Sequence, residues 1–203
     1  MAQPSWDDRY QGDDYVYGTA ANEFLRSQVD RLPAGRILCL AEGEGRNAVF
    51  LAEQGFTVTA VDQSSVGLAK ARRLAAERSV EIHTLVADLT DFRIEPGAWD
   101  GIVSIFAHLP PASRRHVHRG VVAGLRPGGV LVLEAYRPEQ LKYATGGPPT
   151  AEWMMDLEGL RSELAGLEFE YAKEIVRDVF EGALHHGCGA VVQLRARSPK
   201  VGG

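Results

Sequence analysis

Short apolar runs alternate along this chain with segments whose apolar residues recur at helical spacing. Ala21, Phe24, Leu25, Val29 and Leu32 fall near one helical face and predict a helix from about Thr19 to Arg31, ended by Pro33-Ala34-Gly35. Ile37-Leu38-Cys39-Leu40 is a continuous apolar run, as a strand covered on both faces requires, and predicts a strand over Arg36 to Leu40. A Gly-rich turn follows, then a helix from about Arg46 to Gln54 that Gly55 stops. The β-branched run Thr57-Val58-Thr59-Ala60-Val61 predicts a second strand. Ser64 or Ser65 caps the next helix, which carries Val66, Leu68, Ala69, Ala71, Leu74 and Ala75.

The alternation continues with a third strand over Glu81 to Val86 and a fourth within Trp99 to Phe106. A helix from near Ala112 to Leu125 runs into the turn Arg126-Pro127-Gly128-Gly129, and Val130 to Ala135 is a fifth strand. Arg137 to Thr150, rich in Gly and Pro, reads as a loop or lid, with a helix expected from Glu152 to Leu164. Phe169 to Val179 and Ala190 to Arg197 are strand-like, and the link between them is too short for a crossover helix, so they pair antiparallel. The expected fold is α/β: a three-layer α/β/α sandwich around a mostly parallel seven-stranded sheet with an antiparallel C-terminal hairpin. One domain over 1–203 is expected, with 1–35 as arm and helix and 36–203 as core.

Charge narrows the partners. A formal net charge of −5, with both signs mixed along the chain, argues against nucleic acid, which a basic stripe would mark. The one basic cluster, Arg114-Arg115-His116 with His118 and Arg119, reads as a solvated helix face. Cys39 and Cys188 stand alone in apolar stretches, so neither a disulfide nor a metal site is expected. The polar, acidic start and the lack of a long apolar run predict no signal peptide and no membrane partner, hence a cytoplasmic protein.

In an open parallel sheet, ligands bind beyond the carboxyl ends of the strands, where the strand order reverses. The turn Ala41-Glu42-Gly43-Glu44-Gly45 stands there, its glycines letting a ligand lie against backbone and the following helix start offering free N–H groups to an anion. Asp62 ends the second strand, where a carboxylate accepts hydrogen bonds from both ribose hydroxyls; as an alternative it caps the helix that follows. Gly43-Glu44-Gly45-Arg46-Asn47-Ala48 also satisfies the G-x-G-x-x-A dinucleotide fingerprint, so an NAD-dependent oxidoreductase stays open on the turn alone.

Taken in order, the motifs carry a family likeness. Ile37 to Asn47 resembles motif I of the class I S-adenosylmethionine-dependent methyltransferases. Val61-Asp62-Gln63-Ser64 resembles their following acidic motif, Val86-Ala87-Asp88-Leu89 their third-strand motif, and Leu125 to Gly129 the turn before strand five. The family is Rossmann-like and its sheet also ends in an antiparallel hairpin. Within it the chain is most similar to small bacterial tellurite-resistance (TehB-like) and thiopurine methyltransferase-type enzymes, whose N-terminal segment resembles Trp6-Asp7-Asp8-Arg9-Tyr10 and Tyr15-Val16-Tyr17-Gly18. It departs from the pattern at Cys39, where the family usually has an acid that organises the turn, and at Ala41, usually Gly; Glu42 is a possible replacement carboxylate.

The resemblance implies S-adenosylmethionine as cofactor, S-adenosylhomocysteine as product and a small-molecule acceptor, with a thiol or a chalcogen oxyanion among the options. The cofactor set it implies is Tyr17, Glu42, Gly43, Glu44, Gly45, Asn47, Asp62, Gln63, Asp88, Leu89 and Phe106. His108, past the fourth strand, is either a general base or a loop histidine before Pro110-Pro111. Arg9, Arg137, His185 and His186 are the substrate-facing residues expected, with exposed turn positions as the alternative for the two histidines. A non-catalytic S-adenosylmethionine-binding module on the same scaffold is the remaining alternative.

Overall fold

A computed structural model of the chain describes residues 5–143, 145–182 and 186–200. Strands β1 (Arg36–Leu40), β2 (Thr57–Asp62), β3 (His83–Val86), β4 (Trp99–Ile105), β5 (Leu125–Tyr136), β6 (Glu168–Phe180) and β7 (His186–Arg197) form one sheet in the order β3-β2-β1-β4-β5-β7-β6. The first five are parallel, and β7 runs antiparallel between β5 and β6. The helices are α1 (Trp6–Tyr10), α2 (Glu23–Gln28), α3 (Arg46–Glu53), α4 (Ser65–Glu77), α5 (Pro111–Gly124) and α6 (Leu157–Glu163).

The period of two in a strand explains why both faces are covered. Along β1, Ile37 and Cys39 pack with Phe24 and Leu25 of α2, Leu51 of α3 and Leu68 of α4. Leu38 and Leu40 point the other way, into a core shared with Val117 and Val121 of α5 and Leu160 of α6. The expected three layers are therefore present. Among the described residues no helix is long and apolar enough to cross a membrane.

Local chemistry shifts several expected boundaries. The first long helix begins only at Glu23, because the Asn22 side chain accepts from Leu25 N at 2.9 Å, and it closes in a 3₁₀ turn over Val29–Arg31. Strand β3 starts at His83 because pairing with β2 begins at Thr59, leaving Glu81 and Ile82 outside the ladder. The helix expected from Glu152 is broken: Met154 and Met155 turn into the core, with Met155 N donating to Tyr136 O at 3.0 Å. Asp156 then caps α6, accepting from Gly159 N at 2.7 Å.

Candidate active site

The strand order reverses between β1 and β4, and a cleft opens there at the carboxyl ends of the parallel strands. Ala41, Glu42, Asp62, Asp88 and Leu89 line one side, and the segment Ile105 to Leu109 lines the floor beyond β4. Two stretches close over it: the arm, through Trp6, Arg9, Tyr10 and Tyr17, and the segment that includes Pro148, Pro149 and Trp153. The arm is stapled down by Lys70, whose ammonium pairs with Glu44 and donates to the carbonyls of Gly12 (2.9 Å) and Asp14 (2.6 Å).

The turn after β1 works differently from the expectation. Gly43 and Gly45 do not line the cleft. A Cβ on Gly45 (φ +92°) would lie 2.5 Å from Cβ of Ala71, and one on Gly43 (φ +60°) 2.6 Å from the Tyr10 hydroxyl. These glycines admit α4 and the arm, a packing reason for glycine at both positions. Ala41, at φ +50°, takes the left-handed geometry usually left to glycine.

Glu42 replaces the acid absent at position 39. Its Oε1 accepts from both Asn47 N (2.9 Å) and Ala48 N (2.8 Å), and the Cys39 thiol hydrogen-bonds the same carboxyl group. Burial pushes its pKa up to about 7, with the two backbone N–H groups and Arg46 opposing the rise. The internal Glu42 carboxyl group thus takes two of the N–H groups at the start of α3, those of Asn47 and Ala48, leaving fewer for a ligand anion than expected. A diphosphate on this helix start would compete with that carboxyl group for the same donors, which weakens the dinucleotide reading.

Asp62 is both a tie and a wall. Its Oδ2 accepts from Gly43 N at 2.9 Å and Oδ1 from Ser64 N at 2.8 Å, while burial raises its pKa. Capping of α4 falls to Ser64, which accepts from Gly67 N at 2.9 Å. Gln63 and Asp88 are exposed at the rim, and Leu89 is buried beside them. Glu44 and Asn47 line the cleft, and their side chains also accept from the backbone N–H of Tyr17 (3.3 Å) and Asn22 (2.9 Å). Arg9 donates to the Tyr17 hydroxyl at 3.0 Å and lies over the Trp6 ring, so arm and rim form one unit.

The structure gives three further expected site residues other partners. His108 lines the cleft, yet Tyr136 N donates to its Nε2 (2.9 Å), which places the proton on Nδ1, donating to Phe106 O (3.0 Å). Desolvation pushes its pKa down to about 4, and no lone pair is left to take a proton. These bonds pin the end of β4 to β5. His108→Asn is accordingly expected to cost about 1–3 kcal/mol in urea unfolding by removing the acceptor of a backbone N–H. Arg137 pairs with Glu139 (2.9 Å) and Glu174 (3.4 Å) outside the cleft, and His186 packs edge-on against Phe180, also outside it. His185 lies outside the described residues.

The sequence reading passed over Arg46. This first residue of α3 is buried and lines the cleft. Its Nη2 pairs with Glu181, while Nη1 is buried without a hydrogen-bond partner among the described residues. An unpaired buried N–H costs about 1–3 kcal/mol, and more on a charged group, so this atom marks a place where a ligand acceptor is gained. Behind it Glu181 accepts from Asn22 Nδ2 (2.7 Å) and Arg177 Nη2 (3.1 Å), and Arg177 reaches on to Glu134 (2.8 Å).

Sheet order, crevice and edge hairpin together define a Rossmann-like α/β domain with a cleft at its switch point. Residues 37–129 match a family described as a methyltransferase domain. Malonyl-[acyl-carrier protein] O-methyltransferase of Enterobacter lignolyticus (strain SCF1) is 30% identical over 176 residues, covering 80% of this chain and 68% of that protein. The chain spans about half the length of two further curated relatives, 46% and 49%. Two solved structures share the fold. TehB from Haemophilus influenzae superposes with a TM-score of 0.75 at 18% identity, over 89% of this chain and 63% of that one. A chain solved in work on conversion of a disulfide bond into a thioacetal group during echinomycin biosynthesis gives 0.77 at 20% identity, over 96% and 90%. The chain belongs to the class I S-adenosylmethionine-dependent methyltransferases, with S-adenosylmethionine as the cofactor.

Proposed function

We propose that the chain transfers a methyl group from S-adenosylmethionine to a small apolar nucleophile, a thiol before a chalcogen oxyanion, held in the same cleft. Bound there, the cofactor supplies a methyl group on a sulfonium, activated for in-line displacement. The chain supplies position, dehydration and electrostatics. Asp62 accepts from the ribose hydroxyls, Gln63, Asp88 and Leu89 flank the adenine, and Tyr17 and Arg9 cover the site. The donor set suits this cofactor, since Asp62 presents a buried carboxylate at the strand end and Arg46 an orphaned N–H.

The observation that carries the acceptor class is the pairing of an apolar wall with a spent histidine. Phe106, Leu109, Pro148, Pro149 and Trp153 line the same cleft as His108. Both His108 nitrogens are on backbone groups, so an acceptor needing deprotonation finds no base in that imidazole. A thiol ionises with little help and tolerates such a wall, whereas an oxyanion of tellurium or selenium requires polar donors.

Calorimetry tests the cofactor half. The wild-type chain is expected to bind S-adenosylhomocysteine and not NADH. Asp62→Ala should raise the S-adenosylhomocysteine Kd about 10- to 100-fold, the loss of charge-assisted hydrogen bonds worth about 1.5–3 kcal/mol. An unchanged Kd in the variant, or tight NADH binding, would overturn the reading. Release of S-adenosylhomocysteine across a panel of apolar thiols, phenols and selenite tests the acceptor, with turnover on selenite alone refuting the thiol preference.

A further inference from the structure

The start of a helix is ordinarily where a ligand carboxylate finds donors. In α3 that place is largely taken. Asn47 N and Ala48 N both donate to Glu42 Oε1, and Gly45 N donates to Glu42 O at 3.3 Å. S-adenosylmethionine carries an α-carboxylate at the end of its amino-acid tail, and with these three N–H groups engaged it gains from a further donor.

Arg46 is built for this. Its side chain is 8% exposed, it lines the cleft, and Nη1 has no hydrogen-bond partner among the described residues. The guanidinium is held from behind by Glu181, which Asn22 and Arg177 fix in turn. A planar fork pinned on one edge offers its other edge in a set direction, with little ordering left to do on binding. Its position also fits the cofactor. Asp62 accepts from Gly43 N, and Arg46 stands three residues further along the same turn, so the proposed ribose site and the guanidinium flank one short stretch of backbone.

We propose that Arg46 binds the α-carboxylate of S-adenosylmethionine through Nη1, with Glu181 as the residue that positions it. The assignment rests on the cofactor reading above. It makes the cation, in place of the helix start, the anion site of this cleft.

The test compares two ligands that differ in that carboxylate: S-adenosylhomocysteine, and 5′-methylthioadenosine, which lacks the amino-acid tail. Calorimetry on the full chain is expected to show Arg46→Met raising the S-adenosylhomocysteine Kd 10- to 100-fold while the 5′-methylthioadenosine Kd stays within twofold. Arg46→Lys, which keeps a charge for Glu181 but has one point donor for two carboxylates, should show the same split at about tenfold. Equal weakening of both ligands in both variants would assign Arg46 a structural role and overturn the proposal. So would an unchanged S-adenosylhomocysteine Kd accompanied by a raised KM for the acceptor, which would give the guanidinium to the acceptor's anion. A wild-type chain that bound neither ligand would overturn the cofactor reading itself, and this assignment with it.

Discussion

Glu134→Ala should destabilise the fold by about 3–5 kcal/mol, read as a lower urea midpoint at unchanged m. Glu134 is fully buried on β5, and its two oxygens serve four donors. Oε1 accepts from Arg177 Nε (2.8 Å) and Gln193 Nε2 (3.0 Å), and Oε2 from Arg177 Nη2 (2.9 Å) and Asn22 Nδ2 (2.6 Å). Burial opposes the charge on Arg177, and the carboxylates of Glu134 and Glu181 overcome that and raise its pKa. Truncation leaves Arg177 Nε and Gln193 Nε2 without an acceptor, while Arg177 Nη2 and Asn22 Nδ2 keep only Glu181, the costly way to break a buried pair. Glu134→Gln separates hydrogen bonding from volume, because its NH₂ must face two of the four donors whichever way the amide turns. It should lose most of the same stability with no cavity formed. The double change Glu134→Leu with Arg177→Met should recover part of the loss, since removing both partners costs less than removing one. A fully stable Glu134→Gln chain would show that this network carries no stability.

The same network shows where sequence reading stops. The parallel sheet was legible because β1 is a continuous apolar run and β2 a β-branched one, patterns that need no knowledge of the partner strand. The position of Asp62 was legible too, since a β-branched run ends at it. Arg46 and Glu181 lie 135 residues apart, and nothing local in either stretch marks them as partners. Glu42 was read as a possible replacement acid, but its role depends on a turn that folds its carboxyl group back onto N–H groups five and six residues ahead. His108 misled for a related reason: its side-chain type suggested proton transfer, whereas its partners are backbone groups of residues 106 and 136 that only the sheet brings together. The glycines of the turn were assigned for one steric reason and are needed for another, the approach of Tyr10 and Ala71.

Glu42 makes the second large effect a matter of pH. Relative to Glu42→Gln, the wild-type chain should lose about 3 kcal/mol of stability as pH rises from about 4.5 to about 7, and the difference should be flat on either side. The sign follows from proton binding. Burial raises the folded pKa from 4.5 to about 7, so within that window the folded chain keeps a proton that the unfolded chain releases. Stability then falls with pH, opposite to Glu181, whose pKa Arg46 and Arg177 lower against its burial. The glutamine variant is the right reference because its Oε1 can still accept from both Asn47 N and Ala48 N, while the ionisation is removed. Other titrating groups, including Asp62 with its raised pKa, are common to both chains and cancel in the comparison. Urea unfolding at half-unit steps from pH 4 to 8.5 measures the difference. Parallel curves throughout would mean that Glu42 titrates in the folded chain as it does unfolded, and that its carboxylate rests at the head of α3 without cost. A difference of the opposite sign would mean that the helix start and Arg46 outweigh burial, which would also make this turn a stronger anion site than its occupied N–H groups allow.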